Sequence, residues 1–114
     1  MKDIVLAIIE MVESRPFKGI HRIKVGRHTV LNAATVPESA IIKAGLSPSP
    51  RSPVEEAFID RNKQLFLTDP MIESCLIEQI KTQRNSWNIR VEKASTDYVI
   101  ELIIVPRATH EKHY

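Results

Sequence analysis

Residues 98–105, YVIELIIV, decide the fold because they are apolar on both faces of an extended chain. Side chains alternate between the two faces of a strand, and a strand that is apolar on both needs cover on both. The sequence therefore predicts either a central strand with helices over both faces or a strand with one face in a subunit interface. One face would carry Ile100, Leu102 and Ile104. The other, the predicted homodimer interface, would carry Val99, Ile103 and Val105, relieved only by Glu101.

The segments just before this strand predict a hairpin and a helix. Residues 87–93 alternate, with Trp87, Ile89 and Val91 directed inward, so they form the first strand of a C-terminal hairpin. Thr68-Asp69-Pro70 is typical of a helix start, and the helix is expected to run to about Gln83. Its apolar face would bury Met71, Ile72, Cys75, Leu76 and Ile80.

Further toward the N-terminus, the pattern predicts a second hairpin. Residues 20–32 alternate around Gly26-Arg27, a pair that suits a two-residue turn. Residues 4–12 have the apolar spacing of a helix, which should end before Pro16. Two short helices are expected to begin with capping boxes, one at Thr35-Val36-Pro37-Glu38 and one at Ser52-Pro53-Val54-Glu55. A short strand is expected at residues 65–67.

Together these segments predict an α+β fold in one small domain. It would have two antiparallel β-hairpins, an N-terminal helix, two short capped helices and one longer helix packed on the sheet. The domain should span residues 1–105, with a Pro/Ser-rich loop at 47–53, where three prolines favour an extended linker. Residues 106–114 lack an apolar pattern and are expected to form a flexible tail.

The composition is that of an ordinary globular protein, with 43% hydrophobic and 26% charged residues. It excludes collagen-like and wholly disordered chains. The single cysteine cannot form an internal disulfide, which indicates a reducing compartment or a chain indifferent to redox state. No apolar run approaches the ~18 residues of a membrane span, and Asp3 is unlike the basic start of a signal peptide. We therefore expect a soluble cytoplasmic protein that does not bind a membrane.

No motif predicts catalysis, a metal or a cofactor. The glycines stand far apart at 19, 26 and 45, which excludes a glycine-rich phosphate loop. Cys75 is expected to be a buried core thiol, since no histidine lies at a nucleophile spacing from it. His110 and His113 are near each other but lack the further ligands of a metal site. We expect no enzymatic activity.

Positive charge is concentrated between residues 15 and 35, where no acidic residue intervenes. The basic side chains there would lie on an exposed hairpin and bind either an acidic patch on a protein or the phosphates of a nucleic acid. A third interpretation is that they protect the hairpin edge from pairing with other chains. Few aromatic residues lie among them, which disfavours single-stranded nucleic acid. The predicted partner-binding residues are Arg15, Lys18, Arg22, Lys24 and Arg27.

These observations favour a non-enzymatic regulatory or adaptor module. It would bind a protein partner through the basic hairpin and form a homodimer through residues 98–105. A nucleic-acid-binding protein that uses the same hairpin is the alternative.

Overall fold

A computed structural model describes residues 1–15, 19–93 and 96–106, which form a small α+β domain, as the sequence predicts. The described helices are α1 (Lys2–Glu13), α2 (Arg27–Ala33), α3 (Glu38–Lys43), α4 (Pro53–Arg61) and α5 (Asp69–Gln83), with a 3-10 turn at Lys63–Leu65. The strands are β1 (His21–Gly26), β2 (Asn88–Glu92) and β3 (Val99–Val105). Apart from Pro106, the predicted tail lies outside the described residues.

The three strands form one antiparallel sheet in the order β1-β3-β2, so the doubly apolar strand is central. The predicted C-terminal hairpin of β2 and β3 is confirmed. In the register, Ile104 lies between His21 and Ile89, and Leu102 lies between Ile23 and Val91. These directly opposed residues share one face of the sheet.

Helices α1 and α5 pack against each other and cover this face. The apolar side chains of the two helices pack against the apolar side chains of the sheet. The predicted core position of Trp87 is confirmed. Within the described part of the chain, no residue of the opposite face belongs to an apolar cluster. The described helices therefore cover only one face of the sheet. The helices contribute Val5, Ile8, Ile9, Val12, Ile72, Leu76 and Ile80 to this core.

The predicted hairpin at Gly26-Arg27 is wrong, since the chain forms helix α2 from Arg27 onward. Gly26 has φ −64°, not the positive φ of a Gly-X turn, and is the N-cap of α2. The amide of Arg27 donates to the carbonyl of Tyr98 at 2.8 Å, which ties the start of the helix to the residue just before β3. Strand β1 therefore pairs with β3 and not with a hairpin partner of its own. Strand β2 pairs with the other edge of β3.

Helices α3 and α4 and the 3-10 turn build a second, smaller cluster around Ile41, Ile59 and Phe66. The predicted strand at residues 65–67 is wrong, because its three residues serve different packing needs. Leu65 ends the 3-10 turn and is 63% exposed, Phe66 is buried in the small cluster, and Leu67 is buried in the main core.

The two predicted capping boxes differ in outcome. Helix α3 begins at Glu38 after Pro37, without a side-chain cap, so the box at Thr35 is wrong. The box at Ser52 is confirmed, and Ser52 Oγ accepts a hydrogen bond from the Glu55 amide at 3.3 Å. Gly45, with φ +90°, ends α3 in the left-handed conformation that glycine adopts without strain.

The loop that joins α3 to α4 is held by Arg51. Its guanidinium donates to Glu38 at 2.9 Å, to Glu56 at 2.6 Å and to the carbonyl of Ser47 at 2.9 Å. The predicted solvated linker is thus tied to the helices on both sides. None of the described helices is long and apolar enough to cross a membrane.

Replacing Ser52 with alanine should lower the free energy of unfolding by about 0.5–2 kcal/mol, because the cap of α4 is lost. Ser39→Ala is the matched control. Ser39 is exposed inside α3, where alanine is a good helix former. Urea unfolding followed by circular dichroism measures both variants. Equal stability of Ser52→Ala and wild type would contradict a contribution from the capping box.

Candidate functional site

The face of the sheet opposite α1 and α5 is the candidate site, and we call it the open face. Its residues follow from the strand register, since side chains on either side of each core residue point to the opposite face. It combines an apolar stripe on the central strand with charged side chains on all three strands. The open face consists of Arg22, Lys24, Asn88, Arg90, Glu92, Val99, Glu101, Ile103 and Val105.

An ion pair crosses the central strand on this face. Arg22 Nη1 of β1 lies 2.6 Å from Glu92 Oε2 of β2 and 4.0 Å from Glu101 Oε2 of β3. Because β3 lies between β1 and β2, the Arg22 side chain extends over β3. Ile103 stands directly opposite Arg22 and Arg90 in the register and is only 2% exposed.

The electrostatics of the open face are balanced. The hydrogen bond that Arg22 donates lowers the pKa of Glu92, and the same bond raises the pKa of Arg22. Arg90 Nη1 also lies 3.5 Å from Glu92 Oε1. Glu92 therefore stays ionised at neutral pH. The carboxylates of Glu92 and Glu101 offset much of the positive charge on the face.

The structure brings together two sites that the sequence treats as separate. Arg22 and Lys24, predicted to bind a partner, lie on the open face next to Val99, Ile103 and Val105, predicted to form a homodimer interface. Lys24 stands opposite Glu101, and Arg22 stands opposite Ile103. A protein partner and a second copy of the chain would therefore use one surface.

The other predicted partner-binding residues are elsewhere. Arg27 lies at the start of α2, where its guanidinium is 3.2 Å from Glu73 and 3.4 Å from Asp69 of α5. Arg15 follows α1 and is close enough to His21 to influence its pKa. Lys18 lies outside the described residues. The single basic hairpin that the sequence predicts is thus not formed.

Sequence reasoning missed four residues of the open face, namely Asn88, Arg90, Glu92 and Glu101. The alternation of residues 87–93 already directed Arg90 and Glu92 away from the core. What the sequence lacks is the register that sets β1 and β2 on opposite sides of β3. Without it, no pattern places Glu92 within reach of Arg22.

No cluster of metal-ligating side chains is present in the described ranges. They contain no group of three or more histidine, cysteine, aspartate or glutamate side chains able to hold an ion. His110 and His113 lie outside these ranges. Cys75, predicted to be a buried thiol, is half-buried and lines a cleft beside α5.

Fold and site together define a small α+β domain with a three-stranded antiparallel sheet, helices on one face and a mixed-charge apolar surface on the other. Comparison with known proteins adds no relative, since no family model, curated protein or solved structure matches the chain.

Proposed function

We propose that this protein is a non-enzymatic regulatory or adaptor module that binds an acidic protein partner through its open face. The observation that carries the proposal is the arrangement on that face of an apolar stripe within a frame of charged side chains. Protein interfaces commonly have an apolar centre and a polar rim. Lys24 and Arg90 are exposed and extend from the two edge strands, so both are placed to contact carboxylates of a partner.

A protein partner suits this face better than a nucleic acid does. A phosphate backbone that lay across the sheet would meet Glu92 and Glu101 beside every cation it contacted. Like charges at short range oppose binding, and phosphate contacts supply most of the sequence-independent affinity for DNA. A protein can place its own basic or polar groups against these carboxylates and its acidic groups against Lys24 and Arg90.

The same face accounts for the proposed homodimer. It carries both signs of charge, so two copies related by a twofold axis can set cations against carboxylates and place the half-buried Val99 and Val105 at the centre, next to Ile103, which is already almost fully buried. Because the partner would use these residues too, dimer formation and partner binding would exclude each other. In this proposal, binding of the partner to the monomer shifts the equilibrium away from the dimer.

The double variant Lys24→Glu/Arg90→Glu tests the proposal. Both side chains are exposed, so the fold should tolerate the change, while partner affinity should fall at least tenfold, about 1.4 kcal/mol. The matched control, Lys2→Glu/Lys81→Glu, makes the same charge change on α1 and α5, which cover the other face. Affinity capture from a nuclease-treated lysate, quantified by mass spectrometry, compares the three proteins.

We expect proteins captured by wild type and control to be depleted with the double variant. Fluorescence anisotropy with labelled single- and double-stranded oligonucleotides at two salt concentrations provides the second arm. Tight binding at low salt that falls steeply at physiological salt, and that the double variant abolishes, would replace the proposal with a nucleic-acid function. Identical capture by all three proteins would exclude the open face as the binding surface.

A further inference from the structure

Two clefts beside α5 adjoin each other and share one lining side chain. The first, of about 460 Å³, lies between α5 and the segment that leads from α2 to α3. The second, of about 430 Å³, lies between α3, the 3-10 turn and the start of α5. Met71 lines both clefts, so they meet at this side chain. We call the combined feature the α5 groove.

The α5 groove has an apolar lining that includes one largely exposed side chain, Leu65. Pro37, Leu67 and Met71 line the first cleft, and Leu65 and Phe66 line the second. Leu65 is 63% exposed, although it is a large aliphatic residue. Methionine adapts its shape to different apolar partners, which suits Met71 at the junction. The groove therefore exposes apolar surface, and burying this surface against a ligand would be energetically favourable.

The dimensions of the groove favour a peptide over a small molecule. Pro70 and Glu78 both line the first cleft and are eight residues apart on α5, which corresponds to about 12 Å along the helix axis. The second cleft extends the groove beyond Met71. A small molecule is normally enclosed on most of its surface, whereas a long open groove suits a helix that lays its apolar face along it.

Charge defines the chemistry of the occupant. Lys43 lines the second cleft and Glu78 lines the first, so the two clefts carry opposite charges. Within ranges 1–15, 19–93 and 96–106, neither side chain is in an ion pair, which leaves both for a ligand. We propose that the α5 groove binds an amphipathic peptide helix from another protein, with an acidic residue against Lys43, a basic residue against Glu78 and apolar residues between them.

This site is independent of the open face. Helix α5 covers the core face of the sheet, so the groove and the open face lie on different sides of the domain. The groove would give an adaptor its second binding surface. Its test does not depend on the proposed function of the open face, because Lys24→Glu/Arg90→Glu should leave groove binding unchanged.

Selection of a random 16-residue peptide library displayed on phage tests the groove directly. Wild type is the target, and Leu65→Asp is used for counter-selection. We expect enriched peptides with apolar residues at helical spacing, an acidic residue at one end and a basic residue at the other. Val54→Asp is the matched control, since Val54 is 79% exposed and does not line the groove. It should bind the selected peptides as wild type does.

The single cysteine reports where the peptides bind. Cys75 lines the first cleft, so a bound helix should slow its reaction with a thiol reagent at least tenfold. Selection on Lys43→Glu should replace the acidic residue of the peptides with a basic one. Absence of enrichment, or bound peptides that leave Cys75 equally reactive, would overturn the proposal.

Discussion

Ile104→Ala is expected to lower the free energy of unfolding by about 2–5 kcal/mol, among the largest losses of any single truncation in this chain. Ile104 has no exposed surface and lies on the central strand between His21 and Ile89, beneath the helices α1 and α5. Removing three of its carbon atoms leaves a cavity that sheet and helices cannot both close. Urea unfolding, followed by circular dichroism and tryptophan fluorescence, measures the loss.

Ile103→Ala is the matched control, because Ile103 is the next residue on the same strand and is almost as buried. Its side chain lies on the open face, where the flanking side chains of Arg22 and Arg90 are long and can move into the space left behind. We expect a smaller loss, about 1–2 kcal/mol. Equal losses would contradict the structure, since they would mean that both faces of the sheet are packed alike.

The sequence predicted the fold class and gave a central position for residues 98–105 as one of two alternatives, because both inferences depend on patterns within single segments. Residues 98–105 are apolar on both faces, and residues 69–83 have a helical apolar stripe with a start signal. The structure confirms the centrality of β3 and the helix α5. Only one of the two expected layers of helices is present over the described sheet, which leaves Val99, Ile103 and Val105 on the open face.

The hairpin at Gly26 shows where such patterns stop being decisive. The spacing of Val30, Leu31 and Ala34 fits a short helix. Part of the same set also fits an alternating strand, so the local pattern does not decide between the two. Residues distant in the sequence hold the helix in place. The carbonyl of Tyr98 accepts a hydrogen bond from the Arg27 amide, and the Arg27 guanidinium forms ion pairs with Asp69 and Glu73. No local signal reports contacts that are so far apart in the chain.

The candidate site was partly predicted for the same reason. Alternation within β1 set Arg22 and Lys24 on one face, and alternation within β3 set Val99, Ile103 and Val105 on one face. That these two faces coincide depends on the register of β1 against β3, which pairs Arg22 with Ile103. Register is fixed by tertiary packing, here by the burial of Ile23 opposite Leu102, and a single sequence does not display it.

Stability is expected to fall on mild acidification because of His21. This side chain is 1% exposed and lies on the core face of β1. Burial lowers its pKa, since the charged imidazolium loses its hydration, and the nearby positive charge of Arg15 lowers the pKa further. In the unfolded chain the imidazole should titrate near its ordinary value of about 6.5.

The direction of this pH effect on stability follows from the difference in proton uptake between the unfolded and the folded chain. Below pH about 6.5 the unfolded chain binds a proton at His21 that the folded chain does not bind until the lower folded pKa is reached, so acid favours unfolding. The free energy of unfolding should decrease by at most about 1.4 kcal/mol for each pH unit between these two values. Well above pH 6.5 both states hold a neutral imidazole, and His21 adds no pH dependence.

His21→Leu isolates this effect, because leucine fills the buried position without titrating. Urea unfolding of both proteins at pH 5, 6, 7 and 8 gives the difference in slope. Wild type should lose stability toward pH 5, and the variant should lose much less. The carboxyls with lowered pKa, Glu13, Glu38 and Glu92, titrate below about 4.5 and contribute little in this range. The same slope in both proteins would show that His21 becomes protonated as readily in the folded chain as in the unfolded one.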